Sequence, residues 1–254
     1  MSEELAVETT HMPHLDARLS LLGAFRLEVD GAAVALPTGA QRLLALLCLK
    51  HCMSRRQLAG SLWPESSTKQ ALTNLRQVCW RLHDATRGAR VVVDHGALLE
   101  LSPTVRSDVR WLSQAVSRPV EVSGEAAPLA RHFLLDLTRT DTAHLLADWD
   151  DEWLDDERER FRQIRLHVLE RWALHLAEQG EHGLALEAGL AALHTDPLRE
   201  TAHRTVIRIH LIEGNVGEAK RAYARCRSIL RAEIGVEPSV ETRGLVHRSP
   251  PSAV

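Results

Sequence analysis

Residues 67–84, STKQALTNLRQVCWRLHD, decide how the rest of the chain is read. Ser67 with Gln70 three places on is a capping box, so a helix is expected to open there. Ala71, Leu72, Leu75, Val78, Cys79 and Leu82 recur at helical spacing and form one apolar stripe. Thr73, Gln77 and Trp80 then fall near the centre of the opposite face. Lys69 and Arg76 flank them on one side, and Gln70, Asn74 and Arg81 on the other. That face carries long cationic donors suited to phosphate and guanine, and amides that can bond adenine bidentately. Its cations meet a single carboxylate, Asp84, near the helix end. An ordinary amphipathic surface helix has the same stripe, so the surroundings must decide.

The chain has 254 residues, enough for one large domain or two ordinary ones, and 44% of them are hydrophobic, which supports real cores. The net charge of −3 rules out a uniformly basic nucleic-acid binder, but the distribution is uneven. Residues 17–110 hold 13 Lys and Arg against 7 Asp and Glu; residues 111–254 hold 18 against 23. A basic first half suits a polyanion, and an acidic second half suits something else. Four cysteines are too few for a disulfide framework. No apolar run reaches membrane-spanning length and the first residues do not resemble a signal peptide, so a reduced cytoplasm is expected.

Working outward from the helix, the first forty residues read as a small antiparallel sheet. Leu19 and Leu21 alternate, as do Phe25, Leu27 and Val29; Asp30-Gly31 is a hairpin signal, and Val34 and Leu36 form the return strand before Pro37. Thr38 with Gln41 opens a helix whose core is Leu43, Leu44, Leu46 and Leu47. Ser54 with Gln57 opens a second, which carries Leu58, Leu62 and Trp63 and stops at Pro64. After the helix at 67–84, Val91–Val93, a turn at 94–97 and Leu98–Leu101 make a hairpin.

Sheet, three helices and hairpin, with polar side chains on the third helix, follow the logic of a helix-turn-helix with a trailing wing. LSLLGAFRLEVDG at 19–31, LPTGAQRLLALL at 36–47, LAGSLWPE at 58–65 and ALTNLRQVCWRL at 71–82 resemble the winged-helix domain of OmpR-type regulators, and more closely the Streptomyces antibiotic regulatory protein (SARP) family.

Residues 118–128 (RPVEVSGEAAP) read as a loop between domains. Beyond it the chain is helical. Trp149 and Trp153 sit at i, i+4, and Phe161, Ile164, Val168, Trp172 and Leu176 continue a stripe down a long helix that stops at Gly180. Gly180 and Gly214, Ala185 and Ala219, and Ala188 and Ala222 are each separated by the tetratricopeptide period, with Ala192, Pro197 and Tyr223 at matching motif positions. WDDEWLDDERERFRQIR at 149–165 and the stretch at 196–239 resemble the bacterial transcriptional activation domain that follows the winged helix in the same family.

The expected fold class is therefore α+β. Its parts are a tail at 1–16, a winged helix at 17–112, an all-α tetratricopeptide-like domain at 113–247 and a tail at 248–254. The resemblance implies activation of an antibiotic biosynthetic cluster from direct repeats in promoter DNA. It also implies a homodimer on DNA and contact with RNA polymerase and its sigma factor. Arg42, Arg55, Arg56 and Lys69 are candidates for phosphate, and His95 is the sole basic side chain at the tip of the wing.

The motifs of nucleotide hydrolysis, dinucleotide binding, zinc proteolysis and the nucleophile elbow do not occur, so no enzyme and no cofactor are expected. Cys48 and Cys52 have a CxxxC spacing with no partner pair, which argues against zinc. The carboxylates from Asp148 to Glu159 interleave with Arg158, Arg160 and Arg162; they read either as a helix start, where negative charge is favoured, or as a partner surface. Trp80 either packs on the sheet or wing, or lies against DNA. The runner-up for the whole chain is a tetratricopeptide-type adaptor whose winged helix does not read DNA.

Overall fold

A computed structural model of the protein describes residues 16–117, 127–139 and 144–247. These fall into two compact units. The first takes residues up to Leu19 together with Arg26–Ser107; the second takes Ser20–Phe25 and the chain from Asp108. The chain is α+β, with small sheets early and helices after.

In the first unit, β1 (Ala17–Ser20), β2 (Arg26–Val29), β3 (Ala32–Ala33) and β7 (Arg106–Ser107) form a sheet in the order β3-β2-β1-β7. Asp30 and Gly31 both take positive φ, 52° and 77°, which is the geometry Asp-Gly supplies to a two-residue hairpin. That turn fixes the register Val29↔Ala32, so the return strand is Ala32–Ala33 rather than Val34–Leu36. Val34 still donates to Leu27 O at 2.8 Å before Pro37, which has no N–H, ends the pairing. The sheet is not wholly antiparallel as expected, because β7 lies parallel to β1, pairing Arg18 with Arg106. Asp16, expected in the tail, accepts from Asp30 N at 2.9 Å and ion-pairs with Arg106.

Helix α1 (Thr38–Lys50) is apolar almost all round and buries Leu43, Leu44, Leu46, Leu47 and Cys48. It has no capping box: Pro37 is the N-cap, and the Gln41 amide donates to Leu36 O at 2.8 Å. His51 turns the chain with φ 67° into β4 (Cys52–Ser54), a strand absent from the sequence reading. Helix α2 (Arg55–Leu62) starts from a complete capping box of Ser54 and Gln57. Helix α3 (Thr68–Ala85) buries Ala71, Leu75 and Leu82, with Leu72, Val78 and Cys79 half-buried. β5 (Val92–Asp94) and β6 (Leu98–Leu101) form the expected hairpin, and β4 joins it in the order β4-β6-β5.

The second unit begins with the short excursion at 20–25. Leu21 and Leu22 donate to the Asp108 carboxylate at 2.9 Å, Gly23 donates to His144 O at 2.7 Å, and Phe25 stacks on Trp149 with centroids 6.0 Å apart. Helices α4 (Asp108–Ser117) and α5 (Ala127–Thr138) follow, with Trp111 stacked on Phe133 at 5.1 Å. Pro128 lies in the first turn of α5, where its missing N–H costs nothing, so the expected loop is shorter than 118–128. Helix α6 (Asp155–Glu178) starts later than expected: Trp149 precedes it, and Trp153 sits in a one-turn 3-10 helix. Helices α7 (His182–Thr195), α8 (Glu200–Ile212), α9 (Val216–Ile234) and α10 (Val240–His247) pack in succession.

The 34-residue period is a period of the backbone itself. Gly180 and Gly214 have φ 81° and 82°. Gln179 donates to His175 O at 3.1 Å as Glu213 does to Ile209 O at 3.0 Å. Glu181 donates to Leu176 O at 2.9 Å as Asn215 does to His210 O at 2.7 Å. Ala185 and Ala219, at equivalent places, are both fully buried. Two helix pairs, α6–α7 and α8–α9, therefore turn in the same way. The expected tails and linker lie outside the described residues, apart from Asp16, Ala127 and Pro128.

Candidate nucleic-acid interface

Helix α3 is positioned by its buried stripe, which fixes which side faces solvent. Ser67 Oγ accepts from Gln70 N at 3.3 Å, but the Gln70 side chain donates to Asn74 Oδ1 at 3.0 Å instead of reaching back, so the capping box is half formed. On the outward face Lys69, Gln70, Arg76, Gln77, Trp80 and Arg81 are exposed, and Thr73 and Asn74 are half-buried. The Thr73 hydroxyl donates to Lys69 O at 3.0 Å. Lys69, Arg76, Gln77 and Arg81 engage no partner among the described residues. Trp80 is 68% exposed, so it does not pack on the sheet or the hairpin. An indole in water carries a large unrecovered apolar cost, and it is set among these cations and the Gln77 amide.

The other candidates separate. Arg56, at the second position of α2, is exposed and engages nothing among the described residues. Arg42 is half-buried on α1 and already interacts within the fold. Arg55 is committed to the hairpin: Nε donates to Gly96 O at 2.9 Å and the guanidinium pairs with Asp94 at 2.5 Å. His95 lies 3.3 Å from Glu100, across the hairpin. Sequence reasoning did not bring Asp94 and Gly96 to Arg55. A signal for it was present, since an arginine at the first helical position opposes the helix dipole and no acidic residue in the first turn offsets it.

Cys48 is buried with Sγ 3.1 Å from Ser107 Oγ, whereas Cys52 is exposed on β4, so the two do not converge. Burial pushes the Cys79 thiol above its usual value. In the second unit the acidic stretch behaves as a helix start: Asp155, Asp156 and Glu157 occupy the first turn of α6, Arg160 pairs with Glu157 at 3.2 Å and Arg162 with Glu159 at 2.8 Å. Between α7, α8 and α9 lies an open cavity of about 900 Å³ lined by Leu186, Leu190, Val206, Ile229, His203 and His210.

Residues 142–248 match the bacterial transcriptional activator domain. The regulatory protein AfsR of Streptomyces coelicolor is 29% identical over 235 residues, covering 87% of this chain and 23% of that protein. The regulatory protein AfsR of Streptomyces griseus is 28% identical over 245 residues, covering 91% and 24%. The chain thus spans about a quarter of the length of these relatives. The structure of Mycobacterium tuberculosis EmbR in complex with a low affinity phosphopeptide superimposes with a TM-score of 0.70 at 20% identity, over 92% of this chain and 65% of that one. No helix among the described residues is long and apolar enough to cross a membrane. The second unit thus matches a bacterial transcriptional activator domain, and the similarity to regulatory proteins of the SARP type runs through both units.

Proposed function

We propose that the chain is a cytoplasmic, sequence-specific DNA-binding transcriptional activator. The first unit is read as an OmpR-type winged helix with α3 in the major groove, and the helical unit as a tetratricopeptide-like surface for RNA polymerase and its sigma factor. The observation that carries this reading is the outward face of α3. Lys69, Arg76, Arg81 and the Gln77 amide, with no partner among the described residues, share one helix face with an exposed indole. Arg76 and Gln77 are the base readers, Lys69 and Arg56 neutralise phosphate, and Trp80 lies along the sugar-phosphate backbone. Gln70, Thr73, Asn74 and Arg81 border the contact. The asymmetry of a winged helix fits two copies head to tail on direct repeats, about one helical turn apart. An antibiotic biosynthetic cluster is the target that the family suggests.

A salt titration tests the reading. Each neutralised phosphate contributes about 0.9 to the slope of log affinity against log salt, so a slope magnitude of roughly 2 per copy is expected on duplex DNA from Lys69 and Arg56. A duplex enriched by the protein from a random pool should bind more tightly than a scrambled one. The cavity between α7, α8 and α9 favours a second reading, an adaptor that grips protein partners; an adaptor would bind neither duplex, at any salt.

A further inference from the structure

Arg55 and Arg56 are neighbours of the same type at the same helix end, and their surroundings differ. Arg56 is free in solvent among the described residues. Arg55 makes three ties from α2 to the β5–β6 hairpin. Its amide donates to Ala97 O at 3.1 Å, its Nε donates to Gly96 O at 2.9 Å, and its guanidinium pairs with Asp94. The residue before it, Ser54, pairs with Leu98 in the β4–β6 ladder while capping α2. The turn is itself shaped for this contact. Asp94 Oδ1 accepts from Gly96 N at 2.9 Å, and Gly96 takes φ 80°, which turns its carbonyl towards Arg55 without a side-chain penalty.

A planar guanidinium can hold a carbonyl and a carboxylate at once, and a lysine ammonium cannot reproduce that fork. The Asp94 carboxylate also returns negative charge to a helix N-terminus that carries two adjacent arginines and no acidic residue in its first turn. Nε and one terminal nitrogen of Arg55 are held in this way, which turns the guanidinium towards the hairpin, and its charge is already paired with Asp94. From this geometry we infer that Arg55 is a positioning residue: it holds the hairpin turn at a fixed distance from α2, and so from α3 packed against α2, and thereby sets specificity without touching DNA. This rests on the DNA-reading function proposed above.

The test compares the full chain with Arg55→Lys, Arg56→Lys, Arg56→Ala and Asp94→Asn. Binding is measured on the enriched duplex and on its scrambled counterpart, with a salt series. Arg55→Lys keeps the charge and breaks the fork. It should lose about two- to fivefold on the enriched duplex, the range of a partly exposed pair, with the salt slope and the scrambled duplex unchanged. Arg56→Lys keeps the charge at a phosphate contact, so the salt slope should stay and any change in affinity should be equal on both duplexes, whereas Arg56→Ala should lower the slope by about one on both. Asp94→Asn removes a negative charge, which by charge alone tightens binding; the positioning role requires weaker binding to the enriched duplex. Amide exchange at Arg55 and His95 supplies a reading independent of DNA, since both amides bond across the turn. Exchange there should quicken in Arg55→Lys and not in Arg56→Lys. Wild-type affinity in Arg55→Lys with unchanged exchange, or tighter binding by Asp94→Asn, overturns the inference. If the parent binds neither duplex while exchange quickens as stated, the DNA reading fails and the tether stands.

Discussion

On α3, Lys69, Arg76 and Arg81 extend into solvent with nothing to bond among the described residues, whereas on α6 Arg158, Arg162 and Arg165 each hold several groups. Arg158 donates to Leu145 O at 3.1 Å and Leu146 O at 2.7 Å. Arg162 spans Glu159 and Asp196, and the hydrogen bonds from Arg162 and Gln163 hold the Glu159 carboxyl down to about 2. Arg165 is 2% exposed and donates to Leu137 O at 2.6 Å, to Arg139 O at 3.3 Å and to Thr195 Oγ1; burial lowers its own value to about 10. Net charge also separates the two halves, but it does not say which cations are available. What distinguishes them is whether a guanidinium has a partner inside its own unit, because a donor already satisfied gains little from a phosphate.

The largest test of that contrast is Arg165→Ala. It strands the buried Leu137 carbonyl, which Arg165 meets twice, and takes a donor from Arg139 O and Thr195 Oγ1, which should cost about 3 kcal/mol of stability. Urea unfolding followed by circular dichroism reads it, and an unchanged midpoint would mean that the arginines of α6 are as idle as those of α3. Arg76→Ala and Gln77→Ala are the converse: stability should stay within about 0.5 kcal/mol. Each should lose about 1–3 kcal/mol of discrimination between the enriched and scrambled duplexes. Equal discrimination in both variants would remove α3 from the reading role.

A smaller effect comes with acid. Burial pushes His203 below its usual value; its bond to Pro197 O and the charge of Glu200 oppose that, and Arg225 reinforces it. A histidine whose folded value is depressed binds its proton more readily once unfolded, so stability is full above the unfolded value near 6.5 and declines as pH falls below it. Thermal unfolding of the parent between pH 7.5 and 5.5 should show that decline. His203→Gln keeps a donor near Pro197 O and should flatten it; a curve of unchanged steepness would assign the effect elsewhere.

How far these features were legible depended on their range along the chain. The Asp30-Gly31 turn, the Ser54 cap, the stripe of α3 and the 34-residue period are local, and composition states them directly. The exposure of Trp80 followed from helical phase alone. β4 and β7 escaped notice because three- and two-residue strands have no periodicity to read; they exist through partners at 98–100 and at 18–19. The commitment of Arg55 was hidden for the same reason, as Asp94 stands 39 positions away. The boundary drawn at 112 also missed that residues 20–25 belong with the later helices.

That excursion has a consequence in time. Leu21 and Phe25 are made early, yet the groups they meet, at 144–149, are made some 120 residues later. At about 5–20 residues per second, that interval is roughly 6–24 s on the ribosome. Throughout it an aromatic ring and a leucine wait for their counterparts while the strands on either side of them can already pair. The closing stack of Phe25 on Trp149 therefore belongs to the later stages of synthesis. Translation speed between residues 25 and 149 governs how long the nascent chain is open to wrong partners.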